Sequence, residues 1–208
     1  KMTNNHITWW DTACLELSEK DPVMKKLIGT FNQSKLSSFE NPFYSLSKSI
    51  VGQQISVQAA DSIWLRIRNN YNVCSESCFL EASIKNLRKL GLSERKASYL
   101  IKLSERMKHD NNFSKWKKMS DEDIKEKLIL FKGIGPWSIK MFLIFCLNRP
   151  DIFSKDDIGL LKAIGKNYYN GIRPSMEKAE KLSLSWKPWR TLASWYLWRS
   201  IDPNVVSY

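Results

Sequence analysis

Apolar residues recur along the chain at helical spacing, and no stretch shows a convincing alternation of apolar and polar positions. In ITWWDTACLELSEK the pattern places Trp9, Ala13, Leu15 and Leu17 near one helical face, and the pattern ends at Asp21. Similar segments follow up to the C-terminus. The periodicity therefore predicts an all-α fold of about ten short helices.

Capping residues and glycines mark where these helices begin and end. Asn41 is placed to cap NPFYSLSKSIVG, Gly52 interrupts the pattern, and Ser93 and Ser120 are placed to cap two later helices. The segment HDNNFSKWKK is expected to be a polar connection. RPSMEKAEKLSLSW and KPWRTLASWYLWRS are predicted as two helices, each begun by its proline.

Two glycines and a proline interrupt the apolar pattern of KLILFKGIGPWSIKMFLIFC, residues 127–146. Gly133 and Gly135 permit a very tight turn, and Pro136 is suited to the first position of a new helix. Backbone N–H groups at such a helix start, together with the helix dipole, bind anions such as phosphate. An ordinary hairpin between two packed helices explains the turn equally well, so the turn alone leaves both readings open.

The composition of the chain gives it a net positive charge, which bears on its partner. Lysine and arginine number 33 against 21 aspartates and glutamates, for a net charge of +12. This balance favours a polyanionic partner, nucleic acid ahead of membrane, although a lysine-rich surface alone would also produce it. The 4 cysteines and 2 histidines form no metal-ligand pattern, and no apolar run is long enough to span a bilayer. The chain is therefore expected inside the cell.

Two adjacent carboxylates follow the turn, in DIFSKDDIGLLKAIG. Asp156 and Asp157 lie where a loop ends and a predicted helix begins. Capping of that helix, which is worth about 1 kcal/mol, explains at least one of them without any chemistry.

Several segments together resemble one family. LILFKGIGPWSIKMFLIFCLNRPDIFSKDDIGL resembles the helix–hairpin–helix motif and following Asp loop of the helix–hairpin–helix (HhH-GPD) DNA glycosylase superfamily. SIVGQQISVQAADSIW, LRKLGLSERKASYLIKLS and WKPWRTLASWYLWR resemble segments of its AlkA-type, 3-methyladenine branch. The resemblance implies a compact, two-lobed helical bundle. Lobe one would be residues 41–165 with the hairpin at 120–147, and lobe two residues 1–40 plus 166–208.

The resemblance also implies a reaction. A monofunctional DNA glycosylase of the DNA-3-methyladenine glycosylase II type flips an alkylated base out of the duplex and hydrolyses its N-glycosidic bond. Asp157 would stabilise the oxocarbenium-like sugar and orient the water, and Asp156 would be the capping or supporting acid. Bifunctional members carry a lysine where this chain has Trp137, which implies that no Schiff base forms.

Further roles are carried over from the same family. Candidates for the base pocket are Trp137, Trp198, Met141 and Tyr44, followed by Trp195 and Trp9. Core packing is the alternative for each tryptophan. Met141 replaces a tyrosine found in some alkylbase enzymes, which implies a less polar pocket. Candidates for the phosphate-binding hairpin are Lys132, Gly133, Ile134 and Gly135. Candidates for the wedge that enters the DNA are Gln53, Gln54 and Ile55, with Gln54 preferred and a helix-terminal glutamine as the alternative.

The implied partner is double-stranded DNA that contains damaged bases, bound by a monomer and without a membrane. No cofactor is expected, although the hairpin carbonyls are a candidate site for a monovalent cation. The expected compartment is the cytoplasm or nucleoid of a prokaryote, or the nucleus of a eukaryote. Two alternatives stay open: a glycosylase for oxidised or deaminated bases, and a non-catalytic helix–hairpin–helix DNA-binding module. Asp157 and the tryptophan-rich last helix favour an enzyme over the module.

Overall fold

A computed structural model describes residues 7–33, 35–36, 41–108 and 112–202. These residues form twelve α-helices and a short 3-10 helix at Leu184–Trp186, with no strand among them, which confirms the all-α prediction. The helices are α1 (Trp10–Lys20), α2 (Pro22–Thr30), α3 (Pro42–Gly52), α4 (Val57–Asn70), α5 (Ile84–Lys89), α6 (Glu94–Met107), α7 (Phe113–Lys118), α8 (Asp121–Ile129), α9 (Pro136–Phe145), α10 (Ile158–Tyr168), α11 (Met176–Ser183) and α12 (Arg190–Ile201).

The chain divides into two compact units. Among the described residues, the first unit holds 41–108 and 112–147, and the second holds 7–33, 35–36 and 148–202. The sequence analysis placed residues 148–165 in lobe one. In the structure they belong to the second unit because α10 packs against α12 there. Residues 1–6, 34, 37–40 and 203–208 of the predicted lobe two lie outside the described residues.

The first unit is built around α3, which packs against α4, α6 and α9. From Ser45 to Gly52 every residue of α3 is buried, as is every residue of α9 from Met141 to Phe145. The 141–145 stretch of α9 is apolar on all sides, so it is stable only inside a protein. α3 brings Leu46, Ile50 and Val51 into the same core, together with several buried serines. The hairpin between α8 and α9 is thus anchored by the buried C-terminal part of α9.

The second unit is built around α12, which packs against α1, α2 and α10. Residues Thr191 to Arg199 of α12 are all buried. Trp195 packs edge-on against Trp10 at a centroid distance of 5.3 Å and against Tyr196 at 5.0 Å. This aromatic cluster holds the helix that carries Trp198.

A half-buried hydrogen-bond network joins the start of α2 to the C-terminal part of the second unit. Asp21 caps α2 through Oδ1, which accepts from the backbone N–H of Val23 and of Met24 at 2.9 and 3.1 Å. Its Oδ2 accepts from the Tyr168 hydroxyl at 2.7 Å and from Trp186 Nε1 at 3.0 Å. Burial, followed by the hydrogen bond to Asp21, raises the pKa of Tyr168. The hydroxyl therefore stays a donor to the carboxylate.

Some local expectations from the sequence are wrong. Leu15 is 70% exposed, and the buried face of α1 is formed by Trp10, Ala13 and Leu17 instead. Residues 112–118 of HDNNFSKWKK form an N-cap and the helix α7, because the fully buried Trp116 gives that segment a core contact; residues 109–111 lie outside the described part.

The expected starts of the last two helices are also wrong. Ser175 caps α11 and Trp189 precedes α12, so neither helix begins at the proline of its segment. By contrast, the caps predicted at Asn41, Ser93 and Ser120 are confirmed.

Candidate active site and DNA interface

Asp157 is the N-cap of α10 and is held by two hydrogen bonds to one carboxylate oxygen. Its Oδ1 accepts from the backbone N–H of Leu160 at 2.6 Å and from Trp198 Nε1 at 3.2 Å. Gly159 leaves room beside this pair, since a Cβ there would lie 3.2 Å from Asp157 Oδ1 and 3.9 Å from the indole nitrogen. Asp157 is only half-buried, whereas Trp198 is buried. The carboxylate is therefore fixed in orientation while part of it reaches the surface.

Asp156 does not cap the helix, which removes the first of the two roles, capping or supporting acid, that the sequence analysis gave it. It is exposed, and its Oδ1 accepts a hydrogen bond from the Ser154 hydroxyl at 3.2 Å. The cap and the candidate catalytic carboxylate are thus the same residue, Asp157. Capping accounts for part of its environment, but the bond to a buried indole from α12 goes beyond what capping requires.

The hairpin turn between α8 and α9 uses its two glycines for different reasons. Gly133 has φ +88°, and a Cβ there would lie 2.3 Å from the ring of Tyr99. Gly135 has an extended backbone, φ −111° and ψ 179°, and a Cβ there would meet nothing within 4 Å. Gly133 is required by the fold, whereas Gly135 leaves open space at the N-terminus of α9.

The rest of the turn combines a helix start without a capping side chain and an exposed lysine. Gly135 is the N-cap of α9 and has no side chain that could occupy the helix start. Lys132 is exposed beside it, and Ile134 is buried and anchors the turn, with its N–H donating to the Phe131 carbonyl at 3.0 Å. A helix start of this kind, with a neighbouring cation, attracts a phosphate.

The three candidate wedge residues have different environments in the structure. The Gln53 side chain is directed at the hairpin, where its Nε2 donates to the Gly133 carbonyl at 2.7 Å and to the Ser138 hydroxyl at 2.9 Å. Gln54 is exposed with φ +57°, and Ile55 is 39% exposed. The Gln53 side chain is thus engaged with the hairpin, whereas the side chains of Gln54 and Ile55 are exposed.

The candidate pocket residues fall in both units. Tyr44, Trp137 and Met141 belong to the first unit, and Trp198 joins Asp157 in the second. Tyr44 accepts a hydrogen bond from Trp64 Nε1 at 3.0 Å, and Trp137 is half-buried.

Other pocket candidates are explained by packing. Met141 is buried in α9, and Trp195 is buried in the aromatic cluster of α12. Trp9 stacks on Trp189 at a centroid distance of 6.0 Å. These contacts favour a core role for Trp195, which was the alternative given for each tryptophan.

A family model identifies the superfamily to which these features belong. Residues 47–189 match the model of the HhH-GPD superfamily of base excision DNA repair proteins. The chain belongs to the HhH-GPD superfamily. The matched range contains the α3–α4 junction, the hairpin and Asp157.

Individual proteins that are similar to this HhH-GPD chain have names that agree with the family assignment. The DNA-3-methyladenine glycosylase of Saccharomyces cerevisiae is 30% identical over a gapped alignment of 253 positions. The alignment covers 99% of this chain and 84% of the yeast protein. YfjP of Bacillus subtilis is 34% identical over 166 residues, 76% of this chain but only 58% of that protein's length. The solved structure of the 3-methyladenine DNA glycosylase Mag1 of Schizosaccharomyces pombe, in complex with abasic DNA, has a TM-score of 0.81 and 25% identity. That match covers 95% of this chain and 100% of Mag1.

Two residues near the hairpin of the HhH-GPD chain were missed by the sequence analysis. Lys96 Nζ donates to the carbonyls of Val51 and Gln53, both at 2.7 Å, and Tyr99 packs on Gly133. Burial lowers the pKa of Lys96. Their spacing puts them on one face of α6, but no sequence signal indicates what that face contacts.

The described part of the chain offers no acidic or thiol metal site. No group of three or more histidine, cysteine, aspartate or glutamate side chains lies close enough together there to hold a metal ion. Nor do its helices include one with the length and apolar character needed to cross a membrane.

Proposed function

We propose that this chain is a monofunctional DNA N-glycosylase of base excision repair that excises alkylated bases of the 3-methyladenine and 7-methylguanine type. The observation that carries the proposal is the Asp157 carboxylate, held by the Leu160 N–H and the Trp198 indole at the start of α10. It stands in a chain of the HhH-GPD superfamily whose yeast relative is named a DNA-3-methyladenine glycosylase.

In the proposed reaction, Asp157 acts where positive charge develops. As the bond between C1′ and the base nitrogen breaks, the sugar becomes oxocarbenium-like, and the adjacent carboxylate stabilises that charge. A water oxygen then bonds to C1′, and Asp157 takes up the proton that this water loses. A purine alkylated at N3 or N7 is already cationic, so it leaves as a neutral base and needs no general acid. Trp198 keeps the carboxylate in place through its indole N–H.

DNA is held in this proposal through its backbone. The turn of Lys132, Gly133, Ile134 and Gly135 contacts a phosphate beside the lesion, and Gln54 fills the gap that the flipped nucleotide leaves. The electron-rich ring of Trp198, which is bonded to Asp157, then contacts the cationic base.

A monovalent cation at the hairpin is a further part of the proposal. Two turn carbonyls, of Phe131 and Gly133, already accept hydrogen bonds from Ile134 N and Gln53 Nε2. Each carbonyl oxygen has a second lone pair that a cation could use. Replacing potassium by a large organic cation at constant ionic strength would then weaken binding to duplex DNA.

We further propose that the chain acts as a monomer on chromosomal DNA, in the nucleoid or cytoplasm of a prokaryote or in the nucleus of a eukaryote. Light scattering of the protein with and without a lesion duplex measures the stoichiometry. A mass corresponding to two chains on one duplex would contradict the monomer.

The test of the activity is a panel of duplexes, each with one lesion. Duplexes with 3-methyladenine or 7-methylguanine are expected to release the base and to break only after alkali. Release confined to oxidised or deaminated bases would favour a glycosylase for those lesions instead. Binding without any base release would favour a non-catalytic DNA-binding module. Asp157→Asn, which is expected to release the base far more slowly, serves as the control in the same panel.

The monofunctional part of the proposal has its own test. Trp137 carries no amine that could form an imine with C1′. Incubation with lesion DNA and borohydride is therefore expected to trap no covalent adduct while the base is being released. An adduct that forms at the rate of base release would show that a lysine elsewhere in the chain attacks the sugar.

A further inference from the structure

The junction between α3 and α4, residues 53–56, is bonded to two other elements of the first unit. From α6, Lys96 Nζ donates to the carbonyls of Val51 and Gln53, both at 2.7 Å. On the other side, Gln53 Nε2 donates to the Gly133 carbonyl in the hairpin turn and to the Ser138 hydroxyl in α9. An amide nitrogen has two hydrogens, so both donors of Gln53 are used on the hairpin.

These bonds flank the one residue of the junction that has a left-handed backbone. Gln54 has φ +57°, a conformation that a residue with a Cβ keeps only where its surroundings hold it. Its side chain is exposed. The Ser56 side chain, which accepts from the Ala59 N–H at 3.3 Å, fixes the other end of the junction as the cap of α4. The strained Gln54 thus lies between two anchored neighbours.

The hairpin turn is held by the same helix that holds the junction. The Tyr99 ring fills the space where a Cβ of Gly133 would lie, at 2.3 Å. Tyr99 and Lys96 are three residues apart in α6 and so share a face. α6 is therefore a common support for the turn and the junction, and Gln53 is the direct link between them.

We propose that Gln53 is a positioning residue that couples the phosphate-binding turn to the junction that enters the DNA. A turn held by phosphate keeps the Gly133 carbonyl and Ser138 in place, and through them Gln53 holds Gln54 in its left-handed conformation. Without that link, the turn still binds phosphate, but Gln54 is no longer presented in a single orientation. This inference rests on the proposed function, because it assigns a step within base flipping.

The experiment is a double-mutant cycle between Gln53→Met and Gln54→Ala. Methionine has a similar length but no N–H donor, and alanine removes the inserting side chain. Fluorescence of a 2-aminopurine next to the lesion measures base flipping, and single-turnover excision measures the rate. Gln58→Met, which changes an exposed glutamine of α4, is the matched control, and melting temperatures show that each variant is folded.

Coupling predicts strongly non-additive effects. Gln53→Met alone is expected to lower base flipping and the excision rate about tenfold, because two neutral hydrogen bonds are lost. Its affinity for undamaged duplex should stay within about twofold of the wild-type value. Adding Gln54→Ala to that variant should lower flipping by less than about a further twofold. Ser138→Ala, which removes one of the two acceptors, should give a smaller effect of the same kind.

The experiment distinguishes failure of the coupling from failure of the proposed function. If the two substitutions act independently, so that their effects multiply in an active enzyme, the coupling is refuted and the proposed function stands. If the wild-type chain releases no base from any alkylated duplex, the proposed function fails, and this inference fails with it.

Discussion

Asp157→Asn separates the chemistry of this carboxylate from its structural role. The asparagine Oδ1 can still accept from the Leu160 N–H and from Trp198 Nε1, which lie 2.6 and 3.2 Å from the carboxylate oxygen. Asparagine is as good an N-cap as aspartate. What is lost is the negative charge at the start of α10, worth about 0.3–1 kcal/mol of helix stability. The free energy of unfolding is therefore expected to fall by no more than about 1 kcal/mol.

The effect on the rate should be much larger. Removing one preorganised group that stabilises transition-state charge lowers a rate by roughly 100–1,000-fold, or about 2.7–4 kcal/mol. Since the charge acts only when the sugar becomes cationic, affinity for a duplex with a neutral abasic analogue should change by less than about threefold. Asp157→Ala, which also removes the cap and leaves the buried Trp198 indole without this acceptor, should add roughly 1–3 kcal/mol of destabilisation.

The assay is single-turnover base release from a 7-methylguanine duplex, with urea unfolding measured on the same preparations. Asp156→Asn is the matched control, because it neutralises an adjacent, exposed carboxylate that accepts from Ser154. The control should retain the wild-type rate. An inactive Asp156→Asn beside an active Asp157→Asn would show that the chemistry belongs to Asp156, and two active variants would refute a catalytic carboxylate in this loop.

Other predictions concern the hairpin and the core of the second unit. Gly133→Ala should destabilise the fold by about 2 kcal/mol or more, because of its φ of +88° and the Tyr99 ring. Gly135→Ala should leave the melting temperature unchanged but weaken binding to damaged and undamaged duplex alike; unchanged affinity would make the turn merely structural. The logarithm of the affinity should fall with the logarithm of salt concentration with a slope of several units, and a flat dependence would argue against phosphate contacts. Tyr168→Phe should lower the free energy of unfolding by about 1 kcal/mol through its lost bond to Asp21, as measured in urea; no change would mean that the bond is not formed in solution.

Features that depend on neighbouring residues could be predicted from the sequence. The caps at Asn41, Ser93 and Ser120 are confirmed, since each cap accepts from a backbone N–H three residues further on. The hairpin was predictable for the same reason, because Gly133 and Pro136 act on the local backbone. The resemblance that led to Asp157 also rested on contiguous segments. The matched range of the family model contains all of them except the last, WKPWRTLASWYLWR, most of which lies beyond residue 189.

Features that depend on packing between distant residues were decided only by the tertiary structure. The sequence analysis gave Asp156 a capping or supporting role and counted Gln53 among the wedge candidates. In the structure Asp157 bonds to an indole 41 residues away, and Gln53 bonds to a carbonyl 80 residues away. Likewise, Leu15 is exposed although its helical spacing allowed a buried position. Periodicity indicates that a helix has an apolar face but not which helix covers it, because the partner is chosen by how all the helices pack together.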